Sequence, residues 1–384
     1  MKRFIAITLA AALLLLPAQA LADAKGPLSY ERAAALLQLN NAALKKLQRA
    51  ESDALRQYES SAVQAKNIDV KGFAVKFGEE EIYIHYDAEA KLMMTRMKEL
   101  FPEQMKFSWE AARDNRTITT NSLNSVLRGV FFGVCNAQAG LQLKQKQLAL
   151  AEEVYKQDKL RLNNGMITEL ALQESEYGLL KAQKGATAAK RNYDNAVRSF
   201  AQFAGLPAET RFTQAMYEEQ PVRPQWKPVE YYIEAALANR FDILSIRKQI
   251  ALKEQERKLI ESGNSYKTGT AAQDEYERLL DDLEQLGLEL EGMRLSVIEE
   301  IRNAYVDVIN TGKSADNLYN TLKLQQESCA HMQARYRAGM ISGNTLAQAE
   351  LGLLQVENGY RAALYDYNTR ILRFNNAAGI GPGY

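Results

Sequence analysis

The feature that most constrains this chain is a stretch of sequence that occurs twice. Residues 161–205 and 335–379 align without a gap at a constant offset of 174, and 16 of the 45 aligned positions are identical. A duplication of this kind predicts two copies of one structural unit, because repeated sequence folds into repeated structure. The architecture is therefore expected to be a pair of similar parts.

The start of each copy predicts a helical hairpin. Gly165 and Gly339 stand where a helix would end in a left-handed residue, a conformation that glycine adopts at little steric cost. Thr168 and Ser342 follow as expected N-caps, since a side-chain oxygen can accept from an unpaired backbone N–H. Each copy thus predicts a helix, a turn of about five residues and a second helix that runs back.

The rest of the chain is rich in residues that favour helices. We expect helices over 28–66, 88–100 (ending near Pro102), 103–163, 168–203, 229–261, 271–338 and 342–376. Segment 68–86 alternates polar residues with β-branched and aromatic ones, which predicts a β-hairpin. The fold class is therefore mainly α: a long antiparallel coiled-coil helical bundle built from two tandem repeats, with one small β-hairpin in the first.

The domain boundaries follow from the repeats and the prolines. The first helical repeat is expected over 23–206 and the second over 229–384, with a Pro-rich linker at 207–228 between them. Residues 1–22 predict a secretory signal peptide, with a basic start, an apolar run and an A-x-A-like cleavage site. An N-terminal membrane anchor is the alternative, although the apolar run is shorter than the about 20 residues a span needs. The mature chain is expected to be extracytoplasmic.

Composition argues against several classes of function. A net charge of +1, with both signs mixed along the chain, gives no basic surface for nucleic acid. Two cysteines and two histidines are too few for a disulfide framework or a metal cluster, so Cys135 and Cys329 are expected to be small buried residues. No nucleophile–base pair, phosphate loop or cofactor motif occurs, and we expect no enzyme activity and no cofactor.

Together these features resemble the TolC-type outer-membrane efflux protein family. The resemblance covers about 28–380 and rests on the duplication, the Arg-x-x-x-Gly-Met-Ile turn of both copies, and the helix stops at Ala204-Gly-Leu-Pro and Ala378-Gly-Ile-Gly. It implies a homotrimer whose helical tunnel conducts substrates across the cell envelope. It also implies efflux together with a periplasmic adaptor (membrane fusion) protein and an inner-membrane transporter, at the outer membrane or in the periplasm.

The resemblance assigns two groups of residues. The turns that would dock the adaptor are Arg161, Gly165, Met166, Ile167, Arg335, Gly339, Met340 and Ile341. The tunnel tip would hold Glu174, Glu176, Tyr336, Thr345 and Gln348. Rings of carboxylates there would favour cations. The alternatives are that the acidic residues are ordinary solvated helix surface and that Tyr336 packs inside its hairpin.

The chain departs from the family at its strands. The resemblance implies two strands in each repeat, and twelve in a trimer that closes a barrel. Here the second repeat has only a polar loop, 262–270, in place of a hairpin. Six short strands are too few for a spanning barrel, which needs at least about eight, so a reduced or missing barrel is expected. A non-transport secreted coiled-coil scaffold of the cell envelope is therefore the alternative function.

Overall fold

A computed structural model describes residues 26–207, 209–215, 220–262, 271–379 and 381. In chain order its elements are α1 Tyr30–Asn40, α2 Ala42–Lys66, β1 Gly72–Phe77, β2 Glu80–His85, α3 Ala88–Thr95, a π-helical turn Arg96–Leu100, α4 Phe101–Asn163, α5 Glu169–Phe203, α6 Val229–Asn239, α7 Phe241–Ser262, α8 Ala271–Arg337 and α9 Gly343–Ala378. Within these residues, the prediction of a mainly α chain with one β-hairpin is confirmed. The expected signal peptide and almost all of the expected polar loop lie outside the described residues.

Two expected helices are each broken by a single extended residue. Asn41 separates α1 from α2 with ψ 117°, and Arg240 separates α6 from α7 with ψ 135°. The predictions of one unbroken helix at the start of each repeat are therefore wrong. At the first break the chain at Gly205 packs closely on Asn40, since a Cβ added at Gly205 would lie only 3.1 Å from the carbonyl oxygen of Asn40. At the second break Arg240 is held by the ion pairs described below. Tertiary packing therefore outweighs helix propensity at both breaks.

The expected helix stop at Pro102 is also wrong, because the chain stays helical from α3 through the π turn into α4. Proline lacks a backbone N–H, and its ring crowds the carbonyl four residues earlier. In the π turn the N–H of Phe101 instead donates to the carbonyl of Arg96, five residues earlier. This wider turn lies directly before Pro102.

The β-hairpin lies within the predicted segment. Its strands pair antiparallel from Gly72 opposite His85 to Phe77 opposite Glu80, and Gly78 turns the chain with a φ of 67°. The hydroxyl of Tyr83 donates to the carboxylate of Asp69 across 2.7 Å, which ties the second strand to the residues that lead into the first.

The chain divides into two compact units, and each contains segments of both repeats. The first, here called the tip unit, takes the described part of Met1–Asn41 with Val126–Val222 and Thr311–Thr369. The second, here called the strand unit, takes Ala42–Ser125, Arg223–Asn310 and the described part of Arg370–Tyr384.

Four helices of the tip unit contact one another in the order α5, α4, α9, α8, and α1 packs on α4 through the rings of Tyr30 and Phe131, whose centroids are 5.9 Å apart. Between α5 and α4, a Cβ added at Gly185 would lie 3.7 Å from the side chain of Lys144. Between α4 and α9, the rings of Phe132 and Tyr365 have centroids 3.9 Å apart. Between α9 and α8, the rings of Tyr360 and Tyr319 have centroids 5.4 Å apart. The row leaves α5 and α8 at its two edges.

Two amide side chains fasten the inter-repeat linker to the tip unit. Gln138 of α4 accepts from the N–H of Ala215 across 2.8 Å and donates to the carbonyl of the same residue across 3.2 Å. Asn368 of α9 donates to the carbonyl of Gln220 across 2.9 Å and accepts from the N–H of Val222 across 3.3 Å. Each side-chain amide therefore pairs with one backbone N–H and one carbonyl of the linker, as the backbone of a neighbouring strand would.

Arg240 joins three parts of the strand unit. Its side chain is only 2% exposed, and it donates to Asp242 and to Glu300 of α8, each across 2.7 Å. A third, longer bond of 3.4 Å reaches the carbonyl of Ala377 near the end of α9. Burial disfavours the charge, but the hydrogen bonds that the guanidinium donates to Asp242 and Glu300 outweigh it and raise the pKa of Arg240 above its ordinary value.

Cys135 and Cys329 are buried free thiols, as predicted. Burial, aided by the charges of Glu350 and Glu357, raises the pKa of the Cys329 thiol above its ordinary value. A thiol that stays protonated is a poor nucleophile, so Cys329 behaves as a small core residue.

Candidate functional site: the paired hairpin tips

The first turn predicted from sequence is a complete helix-ending motif. Gly165 has a φ of 69°. The N–H of Met166 donates to the carbonyl of Arg161 across 2.8 Å, and the N–H of Gly165 donates to the carbonyl of Leu162 across 2.9 Å. These two bonds use carbonyls that the end of a helix leaves unpaired. Thr168 then caps α5, because its hydroxyl accepts from the N–H of Ala171 across 3.3 Å.

The second turn repeats this geometry. Gly339 has a φ of 70°, and the N–H of Met340 donates to the carbonyl of Arg335 across 2.9 Å. Ser342 caps the next helix by accepting from the N–H of Thr345 across 3.2 Å. A Cβ at either turn glycine would meet no atom within 4 Å. Glycine is therefore needed here for its backbone conformation, and not to let another part of the protein come close.

The two turns belong to the same unit, and a hydrogen bond links their hairpins. The amide of Asn344, on the first turn of α9, donates to the amide oxygen of Gln157 near the end of α4 across 2.8 Å. The predicted turn residues of both copies therefore lie at the same end of the tip unit. Sequence reasoning did not find this pair, since neither residue is the same in the two copies.

The surface at the tips is apolar at its most prominent points. Met166 and Met340 are each 72% exposed, while Ile167 and Ile341 are half-buried behind them. Arg161 and Arg335 are exposed beside the methionines, and Arg161 forms an ion pair of 3.5 Å with Asp158. Exposed, flexible methionines are typical of surfaces that adapt to a protein partner.

No protein-family model and no curated protein sequence matches the chain. Solved structures do match it. CusC, whose structures concern transmembrane channel formation, is 13% identical and superposes with a TM-score of 0.61 over 92% of both chains. The CmeC outer-membrane channel of Campylobacter jejuni is 14% identical, with a TM-score of 0.58 over 91% of this chain and 85% of its own. The outer-membrane protein VceC of Vibrio cholerae is 11% identical, with a TM-score of 0.58 over 92% and 96%.

The chain has the fold of the TolC-type outer-membrane efflux channels. The resemblance seen in the sequence is thereby confirmed at the level of fold. Identities of this size carry no information about substrate or partner, because one fold supports many functions.

In this TolC-type fold, four of the residues expected at a tunnel tip follow the turns, and Tyr336 precedes the second turn. Glu174, Glu176 and Gln348 are exposed on the helices that run away from the tips. Thr345 belongs to the second N-cap, where its hydroxyl and that of Ser342 are 2.9 Å apart. A Cβ at Gly343 would lie 3.8 Å from the ring of Tyr336, which is 46% exposed. The ring of Tyr336 thus lies beside the start of α9 within its own hairpin, with nearly half of its surface exposed.

Several exposed apolar residues near the first tip were not predicted. Leu160, Leu170 and Tyr177 are all more than half exposed. Their equivalents in the second copy are Ala334, Asn344 and Leu351. This difference in residue type between the two copies is the sequence signal that could have pointed to them.

No group of three or more His, Cys, Asp or Glu side chains that could bind a metal ion occurs in the part of the chain that the structure describes. The helices described there include none with the length and apolar character to cross a membrane.

Proposed function

We propose that this chain is the protomer of a trimeric, TolC-like tunnel that conducts substrates out across the cell envelope. The observation that carries the proposal is the doubled tip: two matching turns held at one end of a unit, on a fold shared with outer-membrane channels over about nine-tenths of the chain. An envelope location accords with that fold.

The two turns are the proposed docking surface for a periplasmic adaptor protein, which would link the tunnel to an inner-membrane transporter. Met166 and Met340 offer apolar anchors on both hairpins, and Arg161 and Arg335 place a positive charge beside each of them. The rigid helix-ending motif fixes these side chains in equivalent positions, so one kind of partner surface would fit both turns.

Residues just beyond the turns are proposed to shape the tunnel entrance. Glu174 and Glu176 would add negative charge near the first tip, while Thr345 and Gln348 are neutral positions near the second. In a trimer each acidic position would occur three times, and a ring of carboxylates favours cations over anions. Tyr336 would narrow the entrance at the end of α8.

A deletion strain of the source bacterium tests this proposal. The strain is expected to accumulate compounds from a panel of dyes, bile salts and metal ions, and the wild-type gene is expected to restore their export. A Met166→Asp/Met340→Asp variant should be made in normal amount and assemble normally, yet fail to restore export, because a buried carboxylate would oppose docking. The matched Met166→Leu/Met340→Leu variant keeps the apolar surface and should restore export.

Two results would contradict the proposal. Full export by the aspartate variant would show that the turns are not the docking surface. A deletion strain that exports every compound normally but has an altered envelope would favour a structural scaffold on the same fold.

A further inference from the structure

The tip unit contains a polar cavity of about 390 Å³ that the proposed docking turns do not share. It lies where the inter-repeat linker meets α4 and α9. Its apolar part is formed by Phe132 and Cys135 of α4 and by Ala215 of the linker, and Cys135 and Ala215 are only 7% and 5% exposed. The volume is within the range of about 300–1,000 Å³ that is usual for cavities that bind small molecules.

Two side chains of the cavity wall are held in place by their own contacts. The amide of Gln138 uses both its donor and its acceptor on the backbone of Ala215, as described above. The ring of Phe132 stacks on the ring of Tyr365, with centroids 3.9 Å apart. This part of the wall is therefore ordered before a ligand enters, and a preorganised wall lowers the cost of binding.

One buried polar atom of the cavity has its hydrogen bonding unsatisfied. Asn358 of α9 lines the cavity, and its Oδ1 atom is buried without accepting a hydrogen bond from any residue that the structure describes. A buried acceptor in this state costs free energy, which a bound N–H or O–H donor would recover. The cavity therefore favours a ligand that carries such a donor.

The charge of the cavity sets a second requirement. Among the described residues that line it, Arg361 is the one charged side chain, and the other polar ones are neutral amides. Arg361 follows Asn358 by three residues on α9, so the two side chains are neighbours on one face of the helix. A guanidinium binds a carboxylate through two parallel N–H donors. The cavity therefore favours a ligand whose carboxylate lies close to its hydrogen-bond donor.

We propose that this cavity binds a small organic acid with an O–H or N–H donor next to its carboxylate, as hydroxy acids and amino acids have. The carboxylate binds Arg361, the donor binds Oδ1 of Asn358, and the exposed amides of Asn136 and Gln142 bind the rest of the molecule. The pair on α9 is not a feature that the repeats share, because at the offset of 174 Asn358 and Arg361 correspond to a lysine and a threonine of α5. The site does not depend on the number of copies or on a tunnel.

Three acids that differ at one carbon atom test the ligand class. Malate carries a hydroxyl there, aspartate carries an ammonium group, and succinate carries only hydrogen. Isothermal titration calorimetry on the mature chain measures the dissociation constant of each. Malate, aspartate or both should bind about fivefold more tightly than succinate, which is the effect of one hydrogen bond. The tighter of the two shows whether the site prefers a hydroxy acid or an amino acid.

Variants assign the two contacts. Asn358→Leu removes the acceptor at similar volume and should abolish the preference over succinate. Arg361→Gln should weaken the binding of all three acids by at least about tenfold, because a charge-assisted pair is lost. The matched control Arg191→Gln, at an exposed arginine of α5 that is not among the described lining residues, should bind like the wild type.

Three results would overturn the proposal. Binding of none of the three acids would refute the site. Succinate that binds the wild type as tightly as malate and aspartate would refute the hydrogen bond to Asn358, and this comparison does not require a variant to fold. Equal affinities for Arg361→Gln and Arg191→Gln would show that the acids bind elsewhere on the chain.

Discussion

Replacing Arg240 with methionine should destabilise the strand unit without opening a cavity. Methionine fills similar space, so the change removes the charge and its hydrogen bonds and little else. Arg240 is 2% exposed, while the side chains of Asp242 and Glu300 keep 21% and 35% of their surface in water. The two carboxylates can therefore recover part of their hydration once the guanidinium has gone.

This partial exposure sets the expected magnitude. Breaking a fully buried ion pair costs about 3–5 kcal/mol, because a charge is left buried and unpaired. We expect about 2–3 kcal/mol for Arg240→Met, below that range, since water reaches both carboxylates. Glu300→Gln keeps an acceptor of the same length, and Arg240 keeps its bonds to Asp242. That variant should cost no more than about 1 kcal/mol, the scale of a partly exposed pair.

The assay is urea unfolding of the mature chain, followed by circular dichroism at one fixed protein concentration so that assembly does not shift the midpoint. The double variant Arg240→Met/Glu300→Gln should cost less than the sum of the single changes, because Glu300 is no longer left without its partner. An Arg240→Met variant within about 0.5 kcal/mol of the wild type, at an unchanged denaturant slope, would refute the reasoning. So would a Glu300→Gln variant as unstable as Arg240→Met.

Three further predictions follow from single contacts. Asn368→Asp removes the donor to the carbonyl of Gln220 and should cost about 1–2 kcal/mol in urea unfolding; no loss of stability would contradict it. Gly165→Ala and Gly339→Ala should each cost about 1–2 kcal/mol from left-handed strain alone, given the open space around them; unequal losses would show that one tip has contacts the other lacks. For Cys329, whose raised pKa keeps the native thiol protonated, stability should fall as pH rises above the ordinary thiol value of 9.0; pH titrations of unfolding should show this fall in the wild type and less of it in Cys329→Ala.

Sequence reasoning succeeded where the structure is decided locally. The turns were predictable because a left-handed residue and a hydroxyl N-cap are properties of a few neighbouring residues, and Gly165 and Thr168 supply both. The β-hairpin was predictable for the same reason, from alternation around Gly78.

It failed where distant residues decide. Nothing in the sequence near Arg240 signals a helix break, because its partner Glu300 is 60 residues away. The expected stop at Pro102 is wrong because the sequence does not show that a π turn can precede it. The link between the tips was missed likewise, because Gln157 and Asn344 are 187 residues apart.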